Sequence, residues 1–187
     1  MTRRLGREDL RDLIVMALCV VLGLFAKRLV SPATSLLSDL LRMPGGGLSG
    51  GIGMAFLVLG AALVRRRWAG TLMGLLQGAL ALALGLSGLQ GVFALLTYTV
   101  PGAVLDAVRA AFRWDPARPG FFLLAACLAN AASAAASNLV VFHFTGLVFL
   151  LWVAMAASAG LLGGWIAGLA HRRLAALGVF RRQGGNA

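Results

Sequence analysis

The sequence predicts an all-α integral membrane protein, a compact bundle of six transmembrane helices with both termini in the cytoplasm. Three observations lead there. The 187-residue chain is 60% hydrophobic and only 12% charged, a balance foreign to water-soluble domains. Its apolar runs recur at lengths close to the roughly 20 residues a helix needs to cross about 30 Å of hydrocarbon. Its positive charge is gathered at the borders of those runs. Fourteen of the 17 basic residues lie in four clusters: Arg3, Arg4, Arg7 and Arg11; Arg65 to Arg67; Arg109, Arg113 and Arg118; and Arg172, Arg173, Arg181 and Arg182.

Taken in order, the expected spans are 10–30, 48–64, 68–86, 89–112, 121–142 and 147–170, all in one domain, 1–187. Pro32 limits the first, because proline lacks the amide that would continue the helix. The second stops at Arg65, and the third ends in a tight turn around Ser87 and Gly88. Pro101-Gly102 interrupts the fourth. Asp115-Pro116 and Pro119-Gly120 punctuate the loop before the fifth. With six spans, all four basic clusters fall on one side, and only Lys27, Arg28 and Arg42 on the other. The positive-inside bias then places both termini in the cytoplasm. The net charge of +11 is thus a topology and anionic-lipid signal, not the footprint of a nucleic-acid binder.

Small residues recur every four positions on three spans: Gly70, Gly74 and Gly78; Gly160, Gly164 and Gly168; and Ala129, Ser133 and Ser137. In lipid such ribbons let helix backbones approach closely. Cys19 and Cys127 fall inside apolar runs and read as buried thiols. No CxxC or paired His/Cys cluster marks a metal site.

Polar residues in hydrocarbon are costly, so the few present mark candidate function. Gln77, Thr97, Tyr98, Thr99 and Asn130 fall near mid-depth, and Asn130, Ser133 and Ser137 share a helix face beside Asn138. Gln90, His143 and Trp152 sit nearer the outer ends of their spans. If these faces converge, Gln77, Gln90, Thr97, Tyr98, Asn130, Ser137, Asn138, His143 and Trp152 line a small-molecule cavity opening outward. The alternative is that Gln77, Tyr98 and Asn130 only bond to one another or to neighbouring backbones. Pro101 is expected to free the carbonyl of Thr97 as an acceptor for a ligand. Asp106 is expected to pair with an arginine, and Lys27 and Arg28 to snorkel to the outer surface.

The stretch "MPGGGLSGGIGM", residues 43–54, contains the form GxSG, which returns at 85–88. A phosphate cradle is excluded, because no lysine follows the glycines. A Ser/His intramembrane protease of rhomboid type needs a base beside the serine. Ser49 and His143 do share the outer end, but Ser49 lies before the second span, in the wrong order of elements. That leaves a gating loop as the main reading, formed by Pro44, Gly45, Gly46, Gly47, Ser49, Gly50 and Gly51, with a compact helix-starting turn as the alternative.

The run "MPGGGLSGGIGMAFLVLGAALVRRRWAGTLMGLLQGALALALG", followed by "LTYTVPG", resembles the substrate-binding S components of energy-coupling-factor (ECF) transporters. The resemblance implies capture of a vitamin or related micronutrient from outside a bacterial or archaeal cell, with the loop between helices one and two as a lid. It also implies a membrane coupling (T) protein and two cytoplasmic ATPase subunits as partners. ATP is used by those ATPases, so no cofactor is expected in this chain. Relatives dock through Ala-x-x-x-Ala on helix one. Here Ala17 is followed four residues on by Val21, so Gly23 and Ala26 are the small residues left to serve with Ala17. Another small transporter or membrane assembly subunit is the runner-up reading.

Overall fold

A computed structural model describes residues 7–40, 47–64, 66–112 and 119–177 of the chain. Six α-helices make up nearly all of it: α1 (Arg7–Leu40), α2 (Gly47–Leu63), α3 (Ala69–Ala83), α4 (Ala94–Ala111), α5 (Pro119–Ser137) and α6 (Gly146–Ala176). A 3-10 segment, Gly88–Phe93, leads into α4, and a π segment, Asn138–Phe142, finishes α5. Four stretches are long and apolar enough to cross a membrane: Asp9–Leu36, Gln90–Ala111, Gly120–Phe142 and Gly146–Ala176. They turn large apolar side chains outward, such as Leu18 and Phe25 on α1 and Leu162 and Trp165 on α6. In water this surface would drive aggregation; in a bilayer it is the solvated face. The chain is a multi-pass helical membrane protein.

Helix α1 does not stop before Pro32. It runs through it to Leu40. Proline's missing amide removes the helical donor to the Arg28 carbonyl, and the hydroxyls just beyond it bond back to carbonyls of the same helix. Thr34 Oγ1 donates to the Ser31 carbonyl at 2.9 Å, and Ser35 Oγ to the Pro32 carbonyl at 2.8 Å. Helix α2, at 17 residues, and α3, at 15, are shorter apolar helices. By rise alone they measure about 25 and 22 Å.

The apolar core gathers Val20, Val58, Met73, Leu105 and Phe122 from the first five helices. Helix α3 lies on α4, α5 on α6, and α2 between α1 and α6. Glycine sets the spacing. A Cβ added at Gly70 would stand 2.6 Å from the Gly102 carbonyl oxygen, and one at Gly74 2.5 Å from that of Tyr98. Gly51 and Gly163 meet the backbone of the facing helix in the same way, joining α2 to α6. A side chain at any of these positions would push helices apart.

Two charges on α4 secure the turn between α2 and α3. Asp106, almost fully buried, accepts hydrogen bonds from Gly70 N (3.0 Å), Thr71 N (2.7 Å) and Thr71 Oγ1 (2.7 Å). A carboxylate from another helix thus satisfies the orphan amides and the positive end of α3. Asp106 is therefore not simply an arginine's partner, as its position in the sequence suggests. One turn on, Arg109 Nη1 donates to the carbonyls of Ala61 (3.2 Å) and Arg66 (3.0 Å), at the negative end of α2. Arg66 itself pairs with Asp9 of α1.

The far end of α3 closes at Gly85, where φ is 65°. Leu86 N–H donates to Ala81 O (2.7 Å) and Gly85 N–H to Leu82 O (3.1 Å), the pairing of a Schellman cap. The second GxSG thus begins with a helix stop.

Replacing Asp106 by alanine strips the first turn of α3 of its buried acceptor and is expected to cost about 2 kcal/mol or more. Thermal unfolding of detergent-purified protein should show a clearly lowered midpoint, with Asp106→Asn intermediate.

Candidate functional site

The bundle holds a cavity of about 170 Å³, walled by all six helices. Helix α1 contributes Lys27; α2 Gly50, Gly53 and Met54; α3 Gln77; and the 3-10 segment Gln90. Thr97, Tyr98 and Pro101 come from α4, Ser133 and Ala134 with Asn130 and Ser137 from α5, Phe142 from the π segment, and Trp152 and Ala156 from α6. Seven of the nine residues expected to bind substrate are here: Gln77, Gln90, Thr97, Tyr98, Asn130, Ser137 and Trp152.

The helical irregularities place several of these groups. Gly91, at φ 48° and ψ −132°, breaks the chain just before α4, a conformation that suits glycine. The break lets Gln90 reach back over the cavity. Its Oε1 accepts from Thr97 Oγ1 at 2.8 Å, and its Nε2 donates to Ser137 Oγ at 3.3 Å, so one amide bridges α4 and α5. Pro101 frees the Thr97 carbonyl as expected, and a side chain of the protein takes it up: Ser133 Oγ donates to it at 3.2 Å. Asn130 Nδ2 donates to the Ala156 carbonyl at 2.6 Å, fixing the amide between α5 and α6. Its Oδ1 stands where a Cβ on Gly50 would come within 2.6 Å. Trp152 Nε1 donates to the Ala134 carbonyl at 3.3 Å. Its ring meets Phe142 at 5.2 Å and Phe144 at 5.8 Å between centroids. Among the described residues no buried side-chain nitrogen or oxygen lacks a partner. The walls are held in place by their own hydrogen bonds.

Asn138 and His143 stand outside this set. Asn138 clamps the chain beyond the π segment, its Nδ2 donating to the Phe144 carbonyl (3.1 Å) and its Oδ1 accepting from Phe144 N (2.8 Å). His143 takes the left-handed conformation at φ 52°, its amide bonded to the Asn138 carbonyl at 2.8 Å. Asn138 directly follows Ser137 and so lies beside the face that Asn130, Ser133 and Ser137 share, and His143 comes after the π segment.

Lys27 points inward rather than snorkelling outward. Its Nζ donates to Tyr98 Oη at 3.0 Å and lies 4.7 Å from the centre of that ring. Adjacent residues on a helix point in different directions, so Arg28 is exposed while Lys27 is half-buried.

Of the expected gating loop, Pro44, Gly45 and Gly46 lie outside the described residues. Gly47, Ser49, Gly50 and Gly51 belong to the start of α2. Gly50 packs against Asn130 in the cavity wall, and Gly51 against the Ala159 backbone of α6, so both are helix and not loop. Of the expected docking residues, Ala17 is exposed and Ala26 half-buried. Gly23 faces inward, where a Cβ would stand 3.1 Å from Phe56 Cβ, and so it leaves the exposed face.

Residues 11–132, well over half of the chain, match the family described as "ABC-type cobalt transport system, permease component". The chain belongs to this family. It is the membrane component of an ABC-type transporter, which works with other transporter subunits and ATPases. No curated protein and no solved structure matches. The matched stretch supplies Lys27, Gln77, Gln90, Thr97, Tyr98 and Asn130 to the cavity, while the transporter component draws Ser133, Ser137, Phe142 and Trp152 from the remainder.

Gly50→Val should drive a branched side chain into the Asn130 amide and break its bond to Ala156, lowering stability by about 1–3 kcal/mol. In a double-mutant cycle with Asn130→Ala, the two costs are expected to add to more than the double variant loses, because removing the amide clears the collision.

Proposed function

We propose that this chain is the substrate-capture S component of an ECF-type transporter, binding a vitamin or related small micronutrient and delivering it through an ATP-driven coupling module. The observation that carries this is the convergence of amides, hydroxyls and aromatic rings from all six helices on one cavity. A few polar groups fixed in an apolar wall is the usual form of a small-molecule site. Orientation follows from the arginines: with both termini cytoplasmic, the cavity lies toward the outside of a bacterial or archaeal cell membrane. In this reading all six helices cross. Helices α2 and α3 are short because Asp106 and Arg109 satisfy their ends inside the protein, where a helix facing lipid would need to reach water.

Ala17 and the exposed side chains beside it on α1 would meet the membrane coupling protein, which acts with two cytoplasmic ATPase subunits. The cargo would be a neutral or mildly charged heteroaromatic compound, its ring among Tyr98, Phe142 and Trp152.

The family description favours a second reading, passage of cobalt itself. Divalent cobalt is served by imidazole and carboxylate ligands. The cavity presents amides, hydroxyls and a lysine, and among the described residues no group of three His, Cys, Asp or Glu comes together. These features favour the organic cargo.

Mass spectrometry of small molecules retained by the purified chain tests both readings. A vitamin-sized compound is expected in the wild type, with Tyr98→Ala and Asn130→Ala at least about tenfold weaker in affinity while still folded. Retention of no organic compound, together with saturable cobalt binding, would overturn the capture reading.

A further inference from the structure

Building on the capture reading, we infer that the cavity takes a ring compound bearing a single carboxylate, and that Lys27 selects it. Lys27 is the one charged residue in the cavity wall among those described. A cation at membrane depth is costly unless an opposite charge meets it. Among the described residues the partner shown for Lys27 is Tyr98, which is neutral.

The chain has six acidic residues, and none of the described ones is placed to serve. Glu8, Asp9, Asp12 and Asp39 are on α1 itself, at least twelve residues from Lys27, about 18 Å of helix rise. Asp106 is committed to the first turn of α3. Asp115 lies outside the described residues.

The neighbours of Lys27 are donors as well. An ammonium carries three protons for hydrogen bonding, and only one is directed to Tyr98 Oη. That hydroxyl accepts from the lysine and keeps its own O–H to give. Gln77 lines the same cavity: Gln77 Nε2 and Lys27 Cδ each stand 4.0 Å from the point a Cβ on Gly53 would occupy. Ammonium, phenol and amide thus form one wall rich in donors, which is matched by a carboxylate, an acceptor at both oxygens. A substrate cation placed there would meet a like charge.

The test uses the full chain, purified and freed of retained ligand, with three probes that share a ring and differ in charge. These are pyridine-3-carboxylate, pyridine-3-carboxamide and pyridin-3-ylmethylammonium. Calorimetry on the wild type should show the carboxylate binding at least about tenfold tighter than the carboxamide, with the ammonium weakest. Lys27→Gln should bring the carboxylate-to-carboxamide ratio close to one, and Lys27→Arg should keep it. If the carboxamide or the ammonium binds as well as the carboxylate, or if Lys27→Gln leaves the ratio unchanged, the assignment is wrong and capture stands. Should Lys27→Gln not fold, the wild-type ranking decides. Where no probe binds, the charge of the compound retained on purification decides: a monoanion supports the assignment, and a neutral or cationic one overturns it. If nothing binds and nothing is retained, capture fails and the role of Lys27 falls with it.

Discussion

Everything in this bundle depends on how closely its helices approach one another, and glycine sets that distance. Lipid tails are as apolar as leucine side chains, so burying leucine against leucine brings membrane helices little net gain. Contact between backbones does. At Gly70 and Gly102, at Gly51 and Gly163, and at Gly160 beside the Ala126 carbonyl, there is no room for even a methyl group. These points pin α3 to α4, α2 to α6 and α5 to α6. The cavity lies among the polar and aromatic side chains of Tyr98, Asn130 and Trp152, with Gly50 and Gly53 in its wall. The site is the space that tight packing elsewhere leaves over.

Polar groups then organise that space. Hydrocarbon offers no water, so each one is bonded inside the protein. The bonds of Gln90, Ser133 and Asn130 link α4 to α5 and α5 to α6 across the cavity. Internal bonding is the alternative foreseen for Gln77, Tyr98 and Asn130; Asn130 does bond to the Ala156 backbone and Tyr98 accepts from Lys27, and both still line the cavity. Groups held by their neighbours lose little freedom when a ligand arrives, which lowers the entropic cost of capture.

The sequence made much of this legible. Apolar run lengths marked the helices, and polar residues inside those runs marked the cavity, because in hydrocarbon a polar side chain needs a reason to be there. Pro101 even indicated which carbonyl would seek a new partner. Other features rested on geometry that no local pattern encodes. Pro32 does not end α1, which continues to Leu40. Asn138 and His143 are taken up by the end of the π segment, where Asn138 clamps Phe144 and His143 turns left-handed. Lys27 and Arg28 look equivalent in the sequence and differ only in which way the helix turns them. The glycines of the "MPGGGLSGGIGM" stretch look like a loop, but from Gly47 onward they serve close packing. Glycine permits both outcomes, so composition alone does not choose between them.

Helix α4 carries the two kinds of polar feature at its opposite ends. Thr97 and Tyr98 face the cavity, while Asp106 and Arg109 grip the ends of α3 and α2. It is a rod with a sensing head and a foot bolted to the frame. Pro101 lies between them, where the helical ladder already lacks a rung and bending costs least. A displacement at the head can be absorbed at that joint without loosening the bolts.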